Sequence, residues 1–134
     1  MIISKRVTII KIRKPVEQNL NEELQWFGHS LGLFNMRDKD KSCFRIFIEL
    51  LKSAKHEEGL SSDEIAEKVG ISRGTAIHHI NKLMEAGLVI NDRNRYYLRV
   101  ENLEHLIDVL ETDLKNTCDE LRKVAVDIDE SLGL

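Results

Sequence analysis

Residues 61–100 read SSDEIAEKVGISRGTAIHHINKLMEAGLVINDRNRYYLRV, and the order of elements in this stretch decides the fold class. Ser61 followed three residues later by Glu64 matches the capping box, in which a hydroxyl and a carboxylate bind each other's backbone amides. The match predicts that a short helix begins here. Ser72 is a second N-cap candidate, and it predicts a further helix that reaches about Ala86.

A hairpin is predicted directly after these two helices. Residues 88–90 and 96–100 are β-prone, and Asn and Asp are concentrated in the loop at 91–95 between them. An apolar helix capped by Ser42 and ending near Gly59 precedes the whole unit. Helix, short helix, turn, helix and hairpin in this order make a winged helix-turn-helix. We therefore predict a mainly α fold with a small β wing.

Upstream of this unit the sequence predicts a strand and a helix. Residues 6–13 are rich in Val, Ile and Thr and read as a strand that Pro15 ends. Asn19 and Glu22 form a possible N-cap pair, and apolar residues at helical spacing follow them. Residues 35–41 are polar and charged and are interpreted as a loop.

A single helical pattern runs from Asn102 to about Leu132 without Gly or Pro. At a rise of 1.5 Å per residue, such a helix reaches roughly 45 Å, which is longer than a small domain is wide. We expect its apolar seam to pair with the same helix of a second copy, giving a homodimer. The predicted dimerisation residues are Leu103, Ile107, Leu110, Leu114, Leu121, Val124 and Ile128. The chain then divides into an N-terminal strand and helix extension (1–35), the winged helix-turn-helix (36–100) and a long C-terminal dimerisation helix (101–134).

The net charge of −3 conceals a strong asymmetry along the chain. Residues 1–14 carry five Lys or Arg and no acid, residues 15–100 carry twelve against thirteen acids, and residues 101–134 carry three against ten. Within residues 72–99, five basic residues stand against only Glu85 and Asp92. Positive charge is therefore available where a nucleic acid could use it, and the acidic tail should avoid one.

The outward face of the second helix is the candidate site. If Ala76, Ile80 and Leu83 face the core, the polar and basic residues on the other side point to solvent. This reasoning, extended to the tip of the hairpin, predicts that double-stranded DNA is contacted by Ser72, Arg73, Gly74, Thr75, Ile77, His78, Lys82, Arg93 and Arg95.

Different contacts suit different members of this set. Arg73, Thr75 and His78 lie in the N-terminal half of the helix, from which side chains reach base edges in the major groove. Lys82 is better placed for phosphate, and Ser72 caps the helix so that its first amides face a phosphate.

Arg93 and Arg95 on the wing suit the neighbouring DNA backbone or minor groove. An ordinary solvent-exposed surface accounts for Lys82 and Arg99 as well as a DNA contact does. His79 is expected to be packed on the buried side of the helix. The basic N-terminal strand is interpreted as a solvated face, with a DNA-touching arm as the alternative.

Residues 60–100 resemble the ArsR and MarR-like winged-helix transcription regulators, particularly archaeal members. The resemblance is carried by IAEKVGIS at 65–72, by EAGLV at 85–89, and by Thr75, Ala76, His79, Ile80, Leu83, Arg95, Tyr97 and Leu98. It implies a regulator of transcription, and ELQWFG at 23–28 is similar to a branch that includes a regulator of archaellum genes. Ile77 departs from the pattern, because many relatives have a small hydroxyl residue there. Ile77 cannot hydrogen-bond a base edge but can touch a thymine methyl group.

Several other classes of protein are not expected. No apolar run approaches bilayer length and the start lacks the layout of a signal peptide, so we expect a cytoplasmic protein that binds no membrane. Cys43 and Cys118 each fall in an apolar helical pattern and are expected to be buried hydrophobes, with an intersubunit disulfide as the lesser option. His105 and Asp108 share a helix face but have no second His nearby, so no metal or cofactor is expected. No enzyme is expected either, because no nucleophile–base pair, phosphate loop or paired-carboxylate signature is present.

An alternative function belongs to a different class. The same fold can act as an interaction module that holds partner proteins in a transcription or chromosome complex. Ile77 would then belong to a protein-binding patch, and Trp26 with Phe27 would form another. The net positive charge of residues 72–99 favours DNA over this alternative.

Overall fold

The computed structural model of the chain describes residues 3–33 and 41–134. The elements in these ranges are α1 (Leu20–Ser30), α2 (Ser42–Ala54), α3 (Ser62–Val69), α4 (Arg73–Glu85), β1 (Val89–Asp92), β2 (Arg95–Leu98) and α5 (Leu103–Leu132). The fold is a winged helix-turn-helix, in which α3 and α4 form the helix-turn-helix and the β1–β2 hairpin forms the wing. The predicted loop at 35–41 lies outside the described residues except for Lys41.

The core is formed where α2, α3 and α4 pack together beneath the wing. Its largest fully buried side chains are Phe47, Ile46, Leu50, Ile65, Ile80, Leu83, Leu88 and Leu106. Each such side chain stabilises the fold by about 1.5–3 kcal/mol relative to the exposed state. Leu106 belongs to α5, so the first turns of the long helix are part of this core.

Local capping confirms both predicted starts in the helix-turn-helix. The Ser61 side chain accepts a hydrogen bond from the Glu64 amide at 3.1 Å, and the Ser72 side chain accepts one from the Thr75 amide at 3.1 Å. Gly70 ends α3 with φ +75°, a left-handed conformation that glycine adopts without strain. The turn predicted between α3 and α4 is therefore present, and Gly70 begins it.

The start of α2 differs from the prediction. Ser42 is the first residue of this helix, and Lys41 takes the N-cap position with φ 55° and no side-chain cap hydrogen bond. Ser42 is also buried, so its side chain is not available to solvent. The helix ends at Ala54, before the predicted end near Gly59.

The wing is a tighter hairpin than the five-residue loop that the sequence predicted. Val89 pairs with Leu98 and Asp92 with Arg95, which leaves only a two-residue turn. The turn residues Arg93 and Asn94 have φ 54° and 65°. Positive φ at both central residues is the requirement of a type I′ turn, which matches the twist of a hairpin.

The predicted strand at 6–13 is wrong. Within the described residues this segment pairs with no other strand, and two of its backbone amides bond to the ends of helices. Arg6 N–H donates to Glu85 O at 2.9 Å, and Ile10 N–H donates to Ser30 O at 2.7 Å. A strand needs a ladder of hydrogen bonds to a second strand, which helix ends cannot supply.

Helix α5 confirms the predicted long C-terminal helix. Asn102 is its N-cap, accepting a hydrogen bond from the His105 amide at 2.8 Å, and Gly133 ends it with φ 73°. Cys43 is buried as predicted, whereas Cys118 on α5 is exposed, so that part of the cysteine prediction is wrong. Within the described ranges, no helix combines the length and apolar character needed to cross a membrane.

Candidate nucleic-acid interface

Helix α4 separates into a buried face and an exposed face. Ala76, Ile80 and Leu83 are at most 1% exposed and pack into the core, as the spacing predicted. His79 is also buried, and its ring lies 5.5 Å from that of His78 between centroids. Packing of this face against α2 and α3 determines which side of α4 remains for a ligand.

Most of the predicted contact residues on α4 lie on its exposed face. The exposed members are Ser72, Arg73, Gly74, Thr75, His78 and Lys82. Ile77 is half-buried, and Asn81, which is outside the predicted set, is exposed on the same side. The sequence prediction and the structure therefore agree on the side of α4 that faces solvent.

The N-terminus of α4 is open to an approaching ligand. Ser72 caps the helix, and its Oγ also donates to Thr75 Oγ1 at 2.8 Å. A Cβ added to Gly74 would meet no atom within 4 Å. The amides of the first turn that the cap leaves unbonded, with no side chain on Gly74 beside them, suit close approach of a phosphate.

Arg73 is held against the start of α3. Its Nε lies 3.2 Å from Ser62 Oγ and 3.4 Å from Asp63 Oδ1. Both charged side chains remain mostly exposed, so this ion pair is weak and can exchange for a contact with a ligand. Asp63 is thus a neighbour of the reading surface that sequence reasoning did not select.

The two wing arginines have different environments. Arg93 is exposed at the turn of the hairpin, where its backbone is left-handed with φ 54°. Arg95 donates to Gly59 O from Nε at 3.0 Å and from Nη2 at 2.6 Å, and its Nη2 lies 3.2 Å from Glu64 Oε1. Arg95 therefore ties the wing to the start of α3, a role that its spacing in the sequence does not reveal.

Intramolecular pairing reduces the positive charge that the site presents. Arg73, Arg95 and Arg99 each lie beside a carboxylate of the chain. In the described part of the chain, Lys82 and Arg93 take part in no ion pair. These two cations, one on α4 and one on the wing, are the charges most available to a DNA backbone.

A cluster of three charges joins the interface to α5. Lys5 Nζ lies 2.9 Å from Asp113 Oδ2, and Arg99 donates to both Asp113 oxygens. Arg99 also reaches Gly87 O at 3.4 Å, beside the turn that leaves α4. The hydrogen bonds from Arg99, ahead of those from Lys5, lower the pKa of Asp113 below its ordinary value. The cluster links the N-terminal segment, the wing and the long helix.

The predicted dimerisation residues fall into two groups. Leu110 is 2% exposed and Leu103 packs partly against the core, so both are used within the chain itself. The others are at least 40% exposed, namely Ile107, Leu114, Leu121, Val124 and Ile128. The exposed group continues along α5 well past the last residue that the core covers.

No group of three metal-ligating side chains is found where the structure describes the chain. His105 instead pairs with Glu101, whose pKa is lowered by backbone hydrogen bonding and by that side-chain contact.

Comparison with known families gives a match to the winged helix-turn-helix DNA-binding family over residues 44–90. The matched segment contains most of α2, all of α3 and α4 and the start of the wing, and hence the whole exposed face of α4. Neither a curated protein nor a solved structure shows significant similarity to the chain. The match indicates a DNA-binding domain of the winged helix-turn-helix type.

Proposed function

We propose that the protein is a transcription regulator that binds double-stranded DNA in a sequence-specific way as a homodimer. Helix α4 enters the major groove, and the wing lies on the adjacent backbone or minor groove. The observation that carries the proposal is the exposed face of α4, where Thr75 and His78 lie near the helix N-terminus and Lys82 lies in the last turn. The ArsR and MarR-like resemblance, with its archaeal emphasis, belongs to the same proposal.

The contacts divide by chemistry. Arg73, Thr75 and His78 lie nearest the N-terminus of α4 and are assigned to base edges. Lys82 and Arg93 are assigned to phosphate, because both are exposed cations outside the described ion pairs.

Ile77 is half-buried and does not join the hydrophobic core, so its exposed part suits a thymine methyl group. Arg95 supports the wing from within and contributes to DNA binding by holding Arg93 in place.

The homodimer rests on the exposed part of α5. Every residue from Leu114 to the end of the chain is exposed except Asp119, which is half-buried. Such a helix segment is marginally stable in water without tertiary packing. The exposed apolar side chains on one side of this segment form a stripe of Leu114, Leu121, Val124, Ile128 and Leu132. A second copy covers this stripe and doubles the DNA contact, so that two weak reading helices act together.

A titration of labelled genomic promoter fragments at two salt concentrations tests this proposal. Wild type should select a subset of fragments, and its affinity should fall steeply with salt because cations on the protein displace counterions from DNA. Lys82→Ala and Arg93→Ala should each weaken binding to all fragments and reduce the salt slope by about 1. Arg73→Ala should weaken binding by about 1–3 kcal/mol and relax selection.

Lys55→Ala is the matched control, because Lys55 is an exposed lysine that follows α2 and lies outside the interface. It should leave both affinity and salt slope unchanged. A folded dimer that prefers no fragment would contradict the proposal and support the interaction-module alternative instead.

A further inference from the structure

Among the described residues, the guanidinium group of Arg73 has polar contacts on one side only. Its Nε donates to Ser62 Oγ at 3.2 Å and lies 3.4 Å from Asp63 Oδ1. Nη1 and Nη2 therefore stay available at the far edge of the planar group. That edge carries two N–H donors side by side, which is the geometry that a bidentate contact requires.

The partners of Arg73 belong to the first turn of α3. Ser62 and Asp63 begin that helix directly after its cap, Ser61. Helices α3 and α4 each bury an apolar face in the common core, so the position of this turn relative to α4 is fixed by packing. The groups that contact Nε are thus in place before a ligand arrives.

The ion pair with Asp63 directs Arg73 without immobilising it. The side chains of Arg73 and Asp63 are 65% and 81% exposed. An ion pair in such surroundings adds little to stability, so Arg73 can leave it at little cost. Its effect on binding is orientation, because an arginine already contacted at Nε loses less freedom when Nη1 and Nη2 meet a ligand.

The charge of Asp63 also affects which ligand Arg73 suits. The carboxylate compensates the guanidinium charge locally and repels phosphate groups. A phosphate is better bound by Lys82 and Arg93, which form no ion pair in the part of the chain that the structure describes. A base edge carries no net charge, so its acceptor atoms can bond to Nη1 and Nη2 without this repulsion.

We propose that Ser62 and Asp63 position Arg73 to read a guanine, which makes Asp63 a specificity-determining residue that lies outside α4. This inference rests on the DNA binding of the proposed function. Nη1 and Nη2 donate to O6 and N7 of guanine, which are adjacent acceptors in the major groove, while Nε keeps its contacts with α3. In a non-specific complex Arg73 reaches a phosphate only by leaving Asp63. The ion pair therefore favours the specific complex over the non-specific one.

The ratio of two dissociation constants measures this preference, one for an unrelated duplex and one for the promoter fragment that wild type binds best. Asp63→Ala should lower the ratio about two- to fivefold, as expected for the loss of one exposed ion pair. It should also steepen the salt dependence of binding to the unrelated duplex by up to about 1 in slope, because the released arginine binds phosphate.

Binding to single-base-pair variants of the preferred fragment locates the guanine. Arg73→Ala and Asp63→Ala should relax selection at the same position. Asp63→Asn should retain the guanine there, because the amide oxygen still accepts a hydrogen bond from Nε. Arg73→Lys should lose the guanine preference, because an ammonium lacks the planar fork that contacts Asp63 with one nitrogen and guanine with two others.

A double-mutant cycle shows whether Asp63 acts through Arg73. In the Arg73→Ala background, removal of Asp63 should change neither the ratio of dissociation constants nor the base preference. Glu67→Ala is the matched control, since Glu67 is an exposed carboxylate of α3 that forms no ion pair within the described ranges. It should leave the ratio, the salt slope and the base preference unchanged.

The possible results separate this inference from the proposed function. A folded Asp63→Ala protein with the wild-type ratio overturns the inference alone, and so does an equal loss in the Arg73→Ala background. Retention of the guanine by Arg73→Lys also overturns it, and that variant leaves α3 intact if Asp63→Ala proves unstable in thermal unfolding. A wild-type protein that binds both duplexes equally overturns the inference and the proposed function together.

Discussion

At the scale of single residues, the interface on α4 and the wing depends on which side chains are small and which already contact other groups of the chain. Gly74 leaves open space beside the first turn of α4, and Ser72 uses its hydroxyl to cap the Thr75 amide at that end. Arg73 forms a weak exposed ion pair with Asp63 at the start of α3, whereas Arg95 donates to the carbonyl of Gly59, which precedes α3. The local environment therefore distinguishes cations that can leave their partners from cations that hold the fold.

Gly74→Ala should change the stability of the fold and the affinity for DNA in opposite directions. Alanine is favoured over glycine in a helix, and nothing lies within 4 Å of the added Cβ, so stability should rise by about 0.5 kcal/mol. DNA affinity should fall several-fold, because the methyl group stands where a phosphate approaches the helix amides. Thermal unfolding and a binding titration measure the two effects, and unchanged affinity would argue against close backbone approach here.

Asp113→Asn tests the charge cluster through its pH dependence. The pKa of Asp113 is lowered in the folded state, so its ionised form stabilises the protein above the unfolded value of about 3.9. We expect the variant to be less stable by about 1.5–3 kcal/mol at neutral pH. The difference from wild type should be constant between pH 5 and 8 and shrink as the pH falls below about 4. Denaturant unfolding across this range measures it, and a gap that persists in acid would contradict the role of the charge.

At the scale of elements, the wing is attached to the helix-turn-helix through contacts of its second strand, β2. Leu60 and Tyr96 exchange backbone hydrogen bonds of 3.0 and 2.8 Å, so the residue before the α3 cap extends the hairpin on its outer side. Gly59 lies directly under the ring of Tyr97. These contacts, with Arg95, fix where the tip of the wing stands relative to α4.

Gly59→Ala should loosen the wing. A Cβ at this position would lie 2.5 Å from Tyr97 Cζ, so the ring or the chain must move. We expect a loss of about 1–3 kcal/mol in the free energy of unfolding, the usual range for overpacking. The double variant with Tyr97→Leu should recover part of the loss, and a fully stable single variant would show that the ring is not held in place.

Elements with local signals were predictable from the sequence, whereas those that depend on distant partners were not. The caps at Ser61 and Ser72 lie within three residues of the amides they bind, so short patterns identify them. The strand predicted at 6–13 failed because propensity cannot show whether a second strand is present. The internal roles of Arg95 and Asp113 depend on residues far away in the chain, and no spacing rule reveals them.

At the scale of the whole molecule, α5 has two functions that the same apolar spacing encodes. Leu106 and Leu110 complete the core of the chain, while the residues beyond Asp113 stand away from it. Periodicity alone assigned Leu110 to the dimer, because a helix face buried internally and one buried by a partner look alike in sequence. The point on α5 where core residues give way to exposed residues is therefore found from the burial of each side chain in the chain itself.

Leu121→Asp should abolish dimerisation without unfolding the monomer. Leu121 is 64% exposed in the chain and lies on the stripe, so a charge there affects only the contact with a partner. Loss of burial in both copies should raise the dissociation constant at least about a hundredfold. Val126→Asp is the control, since Val126 is 49% exposed but points away from the stripe. Sedimentation measures both, and equal effects of the two changes would argue against the stripe as the interface.

Selection of binding sites from a pool of random DNA duplexes tests the central claim most directly. The proposal predicts that sequencing of the retained duplexes reveals an inverted repeat with two half-sites, as a two-fold dimer with one α4 in each major groove requires. Substitution of Thr75 or His78 should alter the bases selected within each half-site and leave the spacing between half-sites unchanged. A folded dimer that retains duplexes without enriching any sequence, or that enriches a single unrepeated site, would contradict the claim.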